Sequence, residues 1–203
     1  MKYAVFSLLI QALGGVPALF GTEIEVILSN SSDVRPATVQ GAMSRLRVIL
    51  LSAGMELRWT YTSAGEARWT ENRCRAPHSI RARIVARPPA GASESALGVA
   101  RPLSLSGINV TIYESAVKAT ANLNSVDPTV VLAHALAHEI SHVLQRSVKH
   151  SSHGLMSAAW GDKEFDLMRR VPLRFATQEI DAMAKMPIGE ACAQEKGGTV
   201  ELP

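Results

Sequence analysis

The sequence predicts an α+β fold in which a mixed, twisted sheet is backed by two helices and followed by a small C-terminal subdomain. Three observations predict it. The first third of the chain reads as a strand, a helix and a second strand, and further short strand patterns follow up to residue 113. One long apolar helix pattern then begins at Asp127, and only short helical patterns come after it. Strands that are joined through a helix, with later strands added beside them, indicate a mixed sheet rather than a helical bundle.

Composition narrows the class of protein before any motif is considered. The chain has 203 residues, of which 47% are apolar and 19% charged, and its net charge is +3. This composition is globular, and the length suits one domain or two small lobes around a cleft. The arginines between residues 73 and 87 have few aromatic side chains among them. Binding of single-stranded nucleic acid combines a basic groove with stacking aromatics, so we do not expect a nucleic-acid partner.

The N-terminus predicts export. Met1 and Lys2 precede an almost uncharged run, Tyr3–Phe20, which Gly14, Gly15 and Pro17 interrupt. One positive charge, an apolar stretch and then small residues are typical of a secretory signal peptide, here residues 1–21, so a secreted or periplasmic protein is expected. The alternatives are an uncleaved membrane anchor, since 18 residues can just span a bilayer, and a buried core helix. After removal of the signal we expect no stable membrane insertion.

Export gives the two cysteines of the chain a role. Cys74 and Cys192 could form a disulfide in an oxidising compartment. Closing so long a loop would stabilise the fold by roughly 4 kcal/mol in the chain-entropy description. Two unpaired buried thiols are the alternative.

The first third predicts a strand–helix–strand unit. Residues 24–28 form the first strand, and a helix begins at Pro36 and ends just before Gly54. A second strand covers Met55–Trp59, and a connection of this kind predicts parallel strands with a right-handed crossover. The apolar positions expected to face the core from this helix are Val39, Met43, Leu46, Leu50 and Leu51.

The middle of the chain predicts a loop and three more strands. Residues 60–79 are polar and are interpreted as a loop, and alternation over Ile80–Ala86 predicts a third strand. Ala96–Ala100 is a short apolar segment of the edge-strand kind, stopped by Pro102. A further strand is expected over Gly107–Tyr113.

Three helices are predicted after these strands. Asp127 is a good N-cap and Pro128 a good first helical residue, and apolar residues continue from there through Leu144. Two short helices are expected in the last quarter, at about residues 163–170 and 178–185, the second capped by Thr177.

The long helix carries an HExxH motif, His138-Glu139-Ile140-Ser141-His142. The two histidines are four residues apart, about one helical turn, so both imidazoles leave the same face and can share one zinc ion. Glu139 lies about 100° further round the helix, where it can reach a water molecule without becoming a ligand.

A hydrolytic zinc site needs a third protein ligand and a position left for water. His150 and His153 are both candidates for this ligand. His134 precedes His138 by one turn, and since a fourth histidine would overfill the site, we expect it to be a hydrogen-bonded histidine behind the ligands.

The segment HEISHVLQRSVKHSSHGLM, residues 138–156, resembles the zinc motif and Met-turn of the metzincin metalloproteases. It is similar to a compact bacterial secreted branch with HExxH, seven intervening residues, His-Ser and Gly-x-Met. Ala53–Trp59 resembles the end of the family's first strand–helix–strand unit, and Ala96–Ala100 its upper-rim edge strand. The resemblance covers roughly residues 23–160.

The resemblance implies a zincin-like fold and a secreted zinc-dependent endopeptidase that acts on peptide or protein substrates. It implies a catalytic subdomain over residues 22–147 and a C-terminal subdomain over 148–203, with a cleft between them. Glu139 would be the general base and Met156 the Met-turn residue. The implied Zn²⁺ ligands are His138, His142 and His150. The implied substrate-binding residues, which would pair with an extended peptide, are Leu97, Gly98, Val99 and Ala100.

The sequence departs from the better-known metzincin pattern at the end of the zinc helix. That pattern has glycine and histidine where this chain has Gln145 and Val148, and some relatives have a tyrosine where Ser157 follows Met156. The turn after the helix must therefore be made without glycine, which is costly wherever a residue needs positive φ.

Two other functions remain open from the sequence. A metzincin-like domain that binds zinc without cleaving peptides would have a fourth protein ligand, from His134 or His153. A zinc hydrolase acting on a non-peptide amide is the other possibility. The sequence does not predict the oligomeric state.

Overall fold

The computed structural model describes residues 22–63, 79–93, 95–102 and 108–185. Within these ranges the chain forms five strands and five helices. In chain order they are β1 Thr22–Ser31, α1 Pro36–Leu51, β2 Met55–Ser63, β3 Ser79–Val85, β4 Gly98–Ala100, β5 Val110–Tyr113, α2 Glu114–Leu123, α3 Pro128–Gln145, α4 Asp162–Met168 and α5 Thr177–Ala184. The predicted signal peptide, Cys74 and Cys192 lie outside the described residues.

The five strands form one mixed sheet in the order β2-β1-β3-β5-β4. The first four of these run parallel to their neighbours, and β4 alone is antiparallel, to β5. The predictions of a mixed sheet, of a parallel β1–β2 pair and of an edge strand near residue 100 are confirmed. The short β4 therefore leaves one of its two backbone edges without a strand partner in the described structure.

One face of the sheet is buried under helices. In β1 and β3 alternate side chains are buried, as the period of two requires. Helix α1 packs against α3 and contacts β2, whereas α3 contacts β4 and β5. The residues of the three central strands that point into this core are Ile24, Val26, Leu28, Ile80, Ala82, Ile84, Val110 and Ile112.

Helix α3 is buried all round. It starts as predicted, with the Asp127 carboxylate accepting a hydrogen bond of 2.7 Å from the Thr129 backbone N–H and Pro128 in the first turn. Every residue from Val130 to Leu144 is buried, because α1, α2, α5 and the β4–β5 edge all contact this helix. Because burying a polar side chain without a hydrogen bond costs free energy, the polar residues of this buried helix are expected to have hydrogen-bonding partners.

The structure corrects the predicted limits of the strands and the burial of one leucine. β1 covers Thr22–Ser31 and not only residues 24–28. β2 continues through Ser63, so residues 60–63 are strand and not loop, and β5 begins at Val110 rather than Gly107. Leu51, predicted to face the core, is 61% exposed, and Ile49 is buried instead. Gly54 ends the helix region as predicted, with a φ of +74°.

Two helices differ from their predictions. Helix α2, over Glu114–Leu123, was not predicted from the sequence, and its buried apolar residues are Val117 and Ala121, one helical turn apart. The N-cap of α5 is Ala176, and Thr177 is the first helical residue. Hence Thr177 does not cap this helix, and Glu179 accepts the hydrogen bond of the Ala176 N–H instead.

No helix within the described ranges combines the length and the apolar character that crossing a membrane requires.

Candidate metal centre

His138 and His142 project from the same face of α3 toward one point. Their Nε2 atoms are 3.1 Å apart, and both side chains are buried, at 8% and 5% exposure. The separation of four residues places them one turn apart, and the interplanar angle of 82° turns the rings edge to face. The helix alone therefore brings two imidazole nitrogens together.

Backbone carbonyls fix the tautomer of both rings. His138 Nδ1 donates to the Leu155 carbonyl at 2.9 Å, and His142 Nδ1 donates to the Ser147 carbonyl at 2.8 Å. Because a carbonyl oxygen can only accept, the proton of each neutral ring lies on Nδ1. Each Nε2 is thus left with a lone pair that points at its neighbour.

His150 completes the group from the loop after α3. Its Nε2 lies 3.2 Å from His142 Nε2, and its ring stacks on that of His138 with a centroid distance of 5.2 Å. One nitrogen from each of the three histidines lies within 4.8 Å of the others. His138 and His142 are buried and His150 is exposed, so the group has an open side toward solvent.

The three nitrogens suit a divalent cation. Two lone pairs facing each other across 3.1 Å without a proton between them repel, and a cation between them removes that repulsion. Burial, reinforced by the neighbouring His138, lowers the pKa of His142 to about 4, and burial likewise lowers the pKa of His138. Neutral imidazoles are metal ligands, and tetrahedral Zn–N bonds of about 2.0–2.1 Å place nitrogens about 3.3 Å apart. The donor set therefore fits zinc.

Helix α3 ends next to the three histidines at Arg146, whose backbone has the left-handed conformation. Arg146 has φ of 48° and ψ of 38°, and the Ser147 N–H returns to the His142 carbonyl at 3.1 Å. This turn places the Ser147 carbonyl where His142 Nδ1 reaches it. No glycine is available here, so the positive φ falls on an arginine, which costs about 1–2 kcal/mol relative to an ordinary conformation.

The loop after His150 folds back beneath the three rings. The Ser151 N–H donates to the Met156 carbonyl at 2.8 Å, and Met156 itself is 1% exposed. The Leu155 carbonyl accepts from Trp160 Nε1 at 3.2 Å as well as from His138. The Trp160 ring stands edge-on to His138, with a centroid distance of 6.0 Å. Trp160 is therefore a packed aromatic that helps to hold the carbonyl behind the first histidine.

Glu139, which directly follows His138 in sequence, is a buried acid. Its side chain is 9% exposed, and burial raises the pKa of the Glu139 carboxyl to about 7, with a hydrogen bond from the Ala100 backbone acting in the opposite direction. A carboxyl group with this pKa can accept and release a proton near neutral pH.

The edge strand β4 lies directly against Glu139. A Cβ built on Gly98 would come within 2.7 Å of the Thr111 carbonyl oxygen and 3.1 Å of Glu139 Cγ. Only glycine therefore lets β4 approach α3 this closely. Leu97 and Arg101 bond to β5 through their backbones, so the backbone groups of Gly98 and Ala100 face the free edge.

The two other histidines of this region, His134 and His153, are not part of the three-histidine group. His134 is 2% exposed, its Nδ1 donates to the Val130 carbonyl at 2.8 Å, and its Nε2 accepts from the Leu173 N–H at 3.0 Å. Both of its nitrogens are thus used within the protein. His153 is exposed, with Nδ1 3.0 Å from Ser152 Oγ, and it is not part of the three-histidine group.

Three groups that hold the histidines in place were not predicted from the sequence. Two of them are the backbone carbonyls of Ser147 and Leu155. Since every residue has a backbone carbonyl, the sequence does not indicate which ones accept from a histidine. The third, the Glu179 carboxylate, accepts from Ser151 Oγ across 28 residues of sequence. The one available signal was the polar His-Ser pair at the start of the loop, since a serine beside a ligand often needs a partner.

Comparisons with known proteins support the fold. No family model matches the chain, and no curated protein matches it either. Among solved structures, archaemetzincin from Methanopyrus kandleri is 11% identical with a TM-score of 0.52, and the match covers 80% of this chain and 94% of that one. A zinc-dependent peptidase from Methanocorpusculum labreanum is 12% identical with a TM-score of 0.54, covering 78% and 99%. The chain therefore has the mixed α/β fold of these metzincin-like proteins.

The left-handed turn at Arg146 predicts an unusual response to glycine. Arg146→Gly should raise the free energy of unfolding by about 0.5–1 kcal/mol, because the relief of the positive φ exceeds the entropy that glycine adds to the unfolded chain. Urea unfolding of the metal-free protein measures this. The control Arg47→Gly, at an exposed position inside α1, should lower the free energy of unfolding by about 1 kcal/mol. A loss of stability in both variants would show that Arg146 is not strained.

The bonding of His134 predicts that it supports the fold without binding metal. His134→Ala should lower the free energy of unfolding by about 1–3 kcal/mol, because the buried Leu173 N–H loses its acceptor. Zinc content after dialysis should remain one ion per chain. His138→Ala is the matched control and should lose the ion. A folded His134→Ala protein that no longer retains zinc would contradict this assignment.

Proposed function

We propose that the protein is a zinc-dependent metalloendopeptidase. The observation that carries this proposal is the convergence of His138, His142 and His150, together with the buried carboxyl of Glu139, the residue that follows His138. Metzincin-like structural neighbours, one of them named as a zinc-dependent peptidase, agree with it. Since a fold hosts many activities, the proposal rests on the site rather than on this likeness.

Three neutral imidazoles would hold Zn²⁺ through His138, His142 and His150. When bound, zinc supplies a water molecule of lowered pKa and polarises the carbonyl of the scissile bond. The backbone carbonyls of Ser147 and Leu155 keep two of the rings in the tautomer that binds a metal.

Glu139 is proposed as the general base. Its carboxylate takes the proton from the attacking water and later delivers it to the nitrogen of the leaving amine. Burial supports this role because it raises the pKa of the carboxyl, which makes its carboxylate a stronger base.

The free edge of β4 is proposed to bind the substrate. An extended peptide would add to the sheet there through the backbone groups of Gly98 and the carbonyl of Ala100, while Leu97 and Val99 border it. Val99 is 40% exposed and available for such a contact. Because Glu139 also bonds to the Ala100 backbone, a peptide on this edge would lie next to the base.

A position for water distinguishes a hydrolase from a zinc-binding domain without activity. The two candidates for a fourth protein ligand, His134 and His153, are engaged elsewhere or outside the group. His150 is exposed, so a water molecule and a substrate would approach the group from that side. This arrangement favours hydrolysis over the non-proteolytic alternative.

We further propose that the enzyme is exported and forms two subdomains. Support for export comes from the signal-like residues 1–21, and an exported chain would allow Cys74 and Cys192 to pair. The proposed boundary lies between residues 147 and 148, after the turn that ends α3. In the second subdomain Met156 would serve as the Met-turn residue, an apolar floor below the metal.

Replacement of the proposed base tests the mechanism. Glu139→Gln should lower peptidase activity on a quenched peptide library by about 10²–10⁴-fold, because the amide cannot accept the proton. Its zinc content should stay at that of the parent protein. Glu56→Gln, an exposed position on β2, should leave activity unchanged. Undiminished cleavage by zinc-loaded Glu139→Gln would refute this mechanism, and a parent protein that binds zinc tightly but cleaves no peptide would favour the binding domain.

A further inference from the structure

Helix α5 contributes a buried carboxylate that the proposed mechanism does not use. Glu179 is 7% exposed, and its two oxygens accept from different elements. One accepts the hydroxyl of Ser151, and the other accepts the Ala176 backbone N–H at 2.7 Å. The second bond caps α5, whereas the first reaches a loop 28 residues away in sequence.

The loop that Glu179 holds is the one that carries the third histidine. Ser151 follows His150 directly, and its backbone N–H is also bonded, to the Met156 carbonyl at 2.8 Å. Both its main chain and its side chain are therefore fixed. His138 and His142 are held by α3 and by carbonyls on their Nδ1 atoms, but His150 is exposed and lies outside any helix or strand. Its position thus depends on how firmly Ser151 is held.

We propose that Glu179 is a positioning residue for metal binding, which acts through Ser151 on His150. The inference rests on the proposed function only in that the three histidines bind zinc. It makes α5, near the end of the described chain, part of the metal centre although it supplies no ligand.

A second carboxylate in the same structural role provides the control. Glu164 is the third residue of α4, and its carboxylate accepts the Gly161 N–H at 3.0 Å, as Glu179 does for Ala176. Glu164 has no bond to the His150 loop among the contacts of the described residues. Replacing each glutamate removes one charged cap, but only Glu179 connects to a metal ligand.

Zinc affinity distinguishes a glutamate that only caps a helix from one that also positions a metal ligand. All variants are made in the full chain with Glu139→Gln, so that the measurement does not depend on peptidase activity. The dissociation constant for zinc is measured by competition with a chromophoric chelator. Glu179→Gln and Ser151→Ala should each weaken zinc binding by about 10–100-fold, as is usual for residues that orient a metal ligand. Glu164→Gln should change it by no more than about twofold.

Two further measurements exclude a purely structural explanation. Ser151→Thr, which keeps the hydroxyl, should retain the parent affinity, and the double variant Glu179→Gln/Ser151→Ala should bind zinc about as the weaker single variant does. The visible spectrum of the cobalt-substituted protein should change in Glu179→Gln and stay unchanged in Glu164→Gln. Ser151→Ala keeps the α5 cap, so it tests the inference even where Glu179→Gln does not fold.

The outcomes distinguish this inference from the proposed function. If Glu179→Gln and Ser151→Ala bind zinc as tightly as Glu164→Gln does, Glu179 is only a helix cap and the inference is overturned. If the Glu139-intact parent binds zinc but cleaves no peptide, the peptidase proposal fails while the positioning role stands or falls on the affinities alone. A parent that binds no zinc overturns both.

Discussion

The three-histidine group depends on one constraint, namely that three imidazole lone pairs face the same point. Neutral rings have two tautomers, and only one of them leaves Nε2 free. The carbonyls of Ser147 and Leu155 select this tautomer for His142 and His138 by taking the Nδ1 protons. Two unprotonated nitrogens then stand 3.1 Å apart, an arrangement that is unfavourable in itself and favourable around a cation. The two hydrogen bonds to Nδ1 that leave these nitrogens unprotonated therefore also prepare the site for a metal ion.

The rest of the fold can be understood as what holds these carbonyls and rings still. A helix buried on all sides, α3, cannot tilt without disturbing α1, α2 and the sheet edge. Its left-handed end at Arg146 delivers the Ser147 carbonyl, and the returning loop delivers that of Leu155 with Trp160 bonded to it. Backbone strain of this kind persists where the surroundings determine the geometry, as in functional sites generally. Gly98 brings β4 against Glu139 and so places the proposed base next to the proposed substrate edge.

Sequence reasoning was reliable where the determinants are local and repeat at a regular spacing. The N-cap Asp127 with Pro128, the one-turn separation of His138 and His142, and the alternation in β1 and β3 are properties of neighbouring residues. It failed for α2, a short helix whose two buried apolar residues, Val117 and Ala121, were not recognised as one helical face that packs on α3 and β5. It also failed for Glu179, because Ser151 and Glu179 become neighbours only after the chain has folded. Whether His150 or His153 joined the group was left open by the sequence for the same reason.

The central claim is that one divalent ion sits among three imidazoles whose fourth neighbour is water, and a crystal of the zinc-loaded protein tests it directly. An anomalous difference map recorded at the zinc absorption edge should show one peak about 2.0–2.1 Å from the Nε2 atoms of His138, His142 and His150. His134 and His153 should stay out of contact with it. A peak bound by either of these histidines, or a His150 ring turned away from an ion held by the other two, would contradict the claim.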